Sequence, residues 1–171
     1  RTRMPTQGEI TIDGVVLSVV GSSWFDHQWG DFIAIGSGGW DWFALNLSDG
    51  SDLMLSFVRA KDGSFPLVYG TWVGANGVVQ HIEGDQINLT ALGSWTSPRT
   101  GATWPSGWRV QIGQIDLAVT VTPELADQEL NTVESTGVIY WEGANAVAGT
   151  LGGRPITGRS YVELTGYATL R

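Results

Sequence analysis

The run WDWFALNL, then SDGS, then DLMLSFVR occupies residues 40–59 and constrains the fold more than any other feature. Two stretches of β-branched, aromatic and aliphatic residues alternate at period two around a turn of Ser, Asp and Gly, which is the pattern of an antiparallel hairpin. The same signal recurs along the chain. EITIDGVVLSVVG (9–21) and DFIAIG (31–36) read as strands before it, and the turn KDGS (61–64) follows it. PLVYGTWV (66–73) and VVQHIE (78–83) flank Asn76-Gly77, a strong short hairpin signal. QINLTALGSW (86–95), WRVQIG (108–113), QIDLAVTVTP (114–123), GVIYWEGANAVAGTLGG (137–153) and RSYVELTGYATL (159–170) continue the series. The loop TSPRTGATWPSG (96–107) reads as an ordered connection. The acidic stretch 123–136 holds one helical turn at most. Nine or ten short strands at regular spacing, with no convincing helix of three turns, predict an all-β, antiparallel, up-and-down barrel or sandwich. With 24 Gly and 9 Trp, and charged residues at only 15% of 171, the composition favours strands and turns over helices.

Charge and cysteine count narrow the function. A net charge of −8 repels phosphate backbones, so no nucleic-acid partner is expected. No apolar run approaches the roughly 20 residues that span a bilayer. Without cysteine there is no disulfide and no thiolate chemistry. A periplasmic, secreted or membrane-associated setting fits such a chain. His27 and His81 lie far apart without HxH or HExxH spacing, so no metal is expected. No GxSxG, P-loop or GxGxxG after a strand is present, and no cofactor is expected.

Four segments carry candidate chemistry. In SWFDHQWG (23–30), strand alternation puts Trp24 and Asp26 on one side and His27 and Trp29 on the other. Asp26 and His27 therefore do not form a dyad with each other. His27 beside Trp29 is either a proton carrier or a half-buried ring held by a carbonyl or a Tyr. A carboxylate among tryptophans is costly to bury unpaired, so Asp26 is expected in a structural ion pair with Arg59, or with Arg109. In GGWDWFAL (38–45), Trp40 and Trp42 share a face and Asp41 takes the other. Tryptophans on a barrel interior either line an apolar cavity or fill the barrel. In YWEGA (140–144) and YVELTGYA (161–168), Tyr140 shares a face with Glu142, and Tyr161 with Glu163. A Glu between tyrosines on an inward face would be desolvated and hold its proton, as a donor does. The same pattern also describes a structural Tyr–Glu network.

Taken in order, GEITIDG, GSSWFDHQWG, GGWDWFALNLSDGSDLMLSFVR, the W-T-S-P-x-x-G-x-x-W-P-x-x-W run, YWEGA and GRSYVELTGYA resemble the AttH-like and carotenoid 1,2-hydratase (hydroxyneurosporene synthase) family over nearly the whole chain. The resemblance implies tandem lipocalin-like β-barrels. Residues 1–20 would be the tail of a preceding barrel and a linking strand, and 21–171 the C-terminal barrel. The first barrel would sit on the same or another chain. The carotenoid members add water across a terminal isoprenoid double bond, and the match includes His27 and Trp29 in a DHxW motif. In them a Tyr and an Asp on the following hairpin strand supply acid. Here that strand, Leu53 to Arg59, has neither, which leaves Asp41, Glu142 and Glu163 as substitutes beside His27. The expected ligand is a long apolar molecule, a carotenoid, other isoprenoid or lipid, met by Trp24, Trp29, Trp40, Trp42, Tyr140 and Tyr161. Non-catalytic readings are a carrier, a module assembled with a membrane protein, and a structural subunit whose barrel is full.

Overall fold

The computed structural model describes residues 1–27 and 38–168. The chain divides into two compact units, Arg1–Gly30 and Asp31–Arg171.

The first unit is a hairpin of β1 (Met4–Ile12) and β2 (Val15–Ser23). The sequence reading took 9–21 as one strand. It is broken at Asp13-Gly14, where both residues have positive φ (50° and 80°), the geometry of a type I′ turn that an Asp-Gly pair favours. Ile10 opposes Leu17 and Ile12 opposes Val15, so one face of the hairpin is apolar, and these four side chains are exposed. The expected strand 31–36 lies outside the described residues.

The second unit contains β3 (Gly39–Leu47), β4 (Asp52–Arg59), β5 (Leu67–Val73), β6 (Val79–Glu83), β7 (Ile87–Ala91), β8 (Ser94–Thr96), β9 (Thr103–Pro105), β10 (Trp108–Ile112), β11 (Leu117–Pro123), β12 (Glu129–Asn131), β13 (Ile139–Leu151) and β14 (Arg154–Thr165). Ten of these twelve form one antiparallel sheet in the order β6-β5-β4-β3-β14-β13-β11-β10-β7, with β12 added onto β13. The sheet curls into a nearly closed barrel, as the regular spacing of short strands predicted. The two ends of the sheet are consecutive in sequence and joined by the single 3₁₀ turn Gly84–Gln86. Gln114 bridges to the β6 edge by donating to the His81 carbonyl (2.8 Å) and accepting from the Glu83 amide (3.4 Å).

The remaining pair, β8 and β9, is a small hairpin with Trp95 opposite Trp104; β8 takes the end of the stretch 86–95 read as one strand, and β9 lies inside the stretch 96–107 read as a loop. The acidic stretch 123–136 yields the short strand β12 and then a single turn, in which the Thr136 N–H donates to the Thr132 carbonyl at 2.8 Å. The hairpin β13–β14 is longer than its apolar signal suggested, because Gly152 and Gly153, both with positive φ, turn the chain tightly enough for pairing to begin at Leu151 and Arg154.

The interior is packed. Phe43, Leu45 and Leu47 of β3 alternate inward, as do Leu53, Leu55 and Phe57 of β4. Trp104, Trp108 and Trp141 are fully buried, and the Phe43, Trp108 and Trp141 rings meet edge to face at 5.4 and 5.8 Å. Among the described residues, these bulky rings occupy the centre of the barrel. Among the described residues, no helix is long and apolar enough to cross a membrane.

Candidate functional site

Strand β3 decides which residues face which way. Its inward set is Asp41, Phe43, Leu45 and Leu47, and its outward set is Trp40, Trp42, Ala44 and Asn46. Trp40 and Trp42 therefore stand on the outside of the barrel and do not line its interior. Register carries this face across the sheet. Trp42 is opposite Glu163 of β14, and Glu163 is opposite Glu142 of β13. Glu142 and Glu163 share this outward face: the inward positions beside them are Trp141, Gly143, Val162 and Leu164. The physical signal was available in β3, because the uninterrupted aliphatic and Phe set marks the core side of a strand.

The outward row brings together six residues singled out from the sequence. Glu142 and Glu163 are direct cross-strand neighbours, a geometry that holds two Cβ atoms about 5 Å apart. The Trp40 indole N–H donates to Glu163 Oε1 at 2.7 Å. The Trp40 ring meets Tyr140 edge-on at 6.5 Å, and its backbone N–H is anchored on Thr165 Oγ1 at 2.9 Å. Trp42 lies beside Glu163 on the next strand, and Tyr161 precedes Glu163 on the same face. Both carboxylates and three of the four aromatics are half-buried; Tyr161 is 46% exposed. Burial pushes the Glu142 carboxyl above its ordinary value. Burial, followed by the negative charges of Glu142 and Glu163, pushes the Tyr161 phenol up. Such a face offers one acid inclined to keep its proton, one carboxylate with a fixed donor, and aromatic surface around both.

Across the strand, Ser56 stands opposite Trp42, and Tyr69 opposite Ser56. The outward residues of β4 are thus Met54, Ser56 and Val58, and the acids of this face stand two and three strands away in the same row as Ser56.

Asp41 goes to the other face. It is 3% exposed, accepts from the Tyr167 hydroxyl at 2.8 and 3.1 Å, and lies 3.4 Å from Arg59. Arg59 also donates to the carbonyls of Gly38 and Thr165 and lies over the Tyr167 ring, 3.8 Å from its centroid. Burial drives the Asp41 carboxyl up to about 6, although Arg59 and Tyr167 both pull it down. Arg59 was expected to pair with Asp26. Its carboxylate partner is instead Asp41, which alternation on β3 and β4 sets on the same inward face. Tyr167 was missed as a partner because 126 residues separate it from Asp41 in sequence.

Trp24, Asp26 and His27 belong to the first unit. Trp24 Nε1–H donates to Asp26 Oδ1 at 2.9 Å, the same-side relation that alternation predicted, and the His27 ring meets Phe25 at 6.4 Å. Trp29 lies outside the described residues. Among the described residues, no group of three or more His, Asp or Glu is arranged to hold a metal ion.

The AttH-like family model matches residues 1–167. A solved structure of a candidate AttH from Nitrosomonas europaea is 36% identical, superimposes with a TM-score of 0.84, and is matched over 98% of this chain and 51% of its own. Kievitone hydratase from Nectria haematococca superimposes with a TM-score of 0.75 over 95% of this chain and 50% of its own. At 22% identity that likeness is one of fold. The chain spans about half the length of both solved structures. No curated protein matches.

Proposed function

The chain belongs to the AttH-like family, and we propose that within it the barrel binds a long apolar molecule on its outer face and adds water across one of that molecule's C=C bonds. The observation that carries this reading is the pair Glu142 and Glu163, side by side on the outward face and framed by Trp40, Trp42, Tyr140 and Tyr161. Hydration of an alkene needs an acid to protonate one carbon, a base to take a proton from water, and a surface that tolerates the cation between the two steps. Paired carboxylates supply the first two. Aromatic faces supply the third. Among the described residues, the aliphatic and aromatic filling of the interior favours an outer-face site over a lumen site. A fold neighbour named as a hydratase supports the reaction class. The ligand is an isoprenoid, carotenoid or other lipid, chosen for its apolar length. A preceding barrel is part of this reading, with the apolar hairpin face of Ile10, Ile12, Val15 and Leu17 as the surface offered to it.

The test is incubation of the full-length protein with a lycopene-type acyclic carotenoid and with kievitone, followed by mass spectrometry for the gain of one water. Glu142→Gln and Glu163→Gln, each folded by circular dichroism, are expected to lose about 10²-fold or more of that activity, the usual scale of a general acid or base. Absence of any hydrated product from the wild type, or full activity in both variants, overturns the reading.

A carrier without chemistry is the second reading. It is favoured by β4, whose outward Met54, Ser56 and Val58 carry no acid. It predicts a co-purified pigment or lipid on organic extraction, with no turnover.

A further inference from the structure

We propose that Trp40 is a positioning residue that divides Glu142 and Glu163 into acid and base. The proposal rests on the hydratase reading and assigns roles within its site.

By backbone position the two carboxyls are equivalent: neighbours on adjacent strands, facing the same way, each with a Tyr two residues before it on the same face. Two carboxylates this close disfavour double ionisation, so the pair tends to hold one proton between them. Trp40 breaks the symmetry. Its indole can only donate, and it donates to Glu163 at 2.7 Å, a hydrogen bond that is stronger to a carboxylate than to a neutral acid. The indole is held in place from two sides. The backbone N–H of Trp40 is tied to Thr165 Oγ1 at 2.9 Å, and its ring abuts Tyr140. Tyr140 lies on the same strand and face as Glu142, so Trp40 reaches across β14 to brace the Glu142 strand while its N–H stays on Glu163. Among the described residues the Glu142 carboxyl accepts no hydrogen bond, and its burial favours the neutral form. The shared proton is therefore directed to Glu142.

The reaction then runs in one direction across the pair. The π bond takes the proton from Glu142, forming the new C–H bond and leaving a cation on the other alkene carbon. Water forms the C–O bond to that carbon, and its proton passes to Glu163. The product has gained H and OH, and the pair has kept its single proton, now on Glu163. Because the two groups are cross-strand neighbours, transfer back to Glu142 is short and readies the site.

The experiment uses the full-length protein with ¹³C-carboxyl glutamate, titrated by NMR, with Glu142→Gln and Glu163→Gln for assignment. In the wild type Glu142 is expected to titrate above Glu163, and the Trp40 indole proton shift to follow the Glu163 titration. Trp40→Phe keeps a ring against Tyr140 and deletes the N–H. In it the Glu163 midpoint is expected to rise by about one pH unit, closing the gap to Glu142. The acidic limb of kcat/KM should rise with it while KM changes less than about twofold. A wild type in which Glu142 titrates below Glu163, an indole proton indifferent to Glu163, or a Glu163 midpoint unmoved in Trp40→Phe each overturns the assignment. The indole readout needs no variant, so it decides even if Trp40→Phe fails to fold. Failure of the hydratase reading is seen separately, as an absence of hydrated product from the wild type.

Discussion

Replacing Asp41 by Asn sets two large effects against each other at one buried site. Asp41 is almost completely enclosed and has a cation, Arg59, at 3.4 Å. Removing one partner of a buried ion pair ordinarily costs about 3–5 kcal/mol. Desolvation acts the other way, and here it wins: the carboxyl rises from 3.8 to about 6, with burial the largest cause. That difference corresponds to about 3 kcal/mol in favour of the neutral form in the folded state. The geometry explains the outcome. The Arg59 contact is single and long rather than a two-pronged fork. Arg59 also has the Gly38 and Thr165 carbonyls and the Tyr167 face, so it does not depend on Asp41 for its polar contacts. A raised carboxyl stabilises the fold fully below the unfolded value of 3.8, and that stabilisation is lost as pH rises through about 6. Asn is neutral at every pH and keeps an oxygen for the Tyr167 hydroxyl. The assay is guanidinium unfolding of the wild type and Asp41→Asn at pH 4, 5, 6 and 7.5. The other carboxylates cancel in the difference between the two proteins. Asp41→Asn is expected to gain on the wild type by about 2.5 kcal/mol between pH 4 and 7.5, with most of the change below pH 6.5. A difference that does not vary with pH, or that moves against Asn as pH rises, refutes the reasoning and restores the ion pair as the dominant effect.

Two further substitutions test separate parts of the structure. The Glu129 side chain is 1% exposed and accepts from Ser97 (2.7 Å), Thr100 (2.8 Å) and the Trp104 indole (2.9 Å), which fastens the 97–104 segment to β12. Glu129→Gln puts an amide NH₂ among these donors and should cost about 1–3 kcal/mol in urea unfolding, whereas a loss under about 0.5 kcal/mol would mean the segment is held by its other contacts. Glu142→Gln removes one of two like charges directly opposite each other, and should raise thermal stability at pH 8 by an amount equivalent to about 0.2–1 kcal/mol; an unchanged or lower midpoint would show that the pair carries no repulsion.

The fold was legible because its determinants are local. Period-two alternation with Asp-Gly, Asn-Gly and Gly-Gly turns specifies strands and hairpins within a few residues, and ten strands of this kind have few alternatives to a closed sheet. The members of the outward row were legible in the sequence; the side they face was not. Alternation correctly grouped Trp40 with Trp42, Tyr140 with Glu142, and Tyr161 with Glu163. It does not say which group faces the core, and an aromatic set and an aliphatic set compete for that side. On β3 the continuous Phe43, Leu45, Leu47 set took it, leaving the indoles and carboxyls outside. What no local pattern contains is register. The meeting of Glu142 with Glu163 and of Asp41 with Tyr167 depends on how strands pair across long sequence separations, and so the buried Asp41–Arg59–Tyr167 cluster was not foreseen.

The outer face is at odds with the rules that stabilise sheets. A row with Glu142 and Glu163 side by side and tryptophans half in water is a poor surface by the rules that stabilise sheets: like charges repel, and large apolar rings are left incompletely buried. The inner face meets those rules, with aliphatic and aromatic side chains packed from both hairpins. A barrel that fills its centre can tolerate a face that weakens it by about a kcal/mol. Packing inside the barrel gives a rigid base from which the Trp40 indole N–H reaches Glu163 at 2.7 Å on the outside.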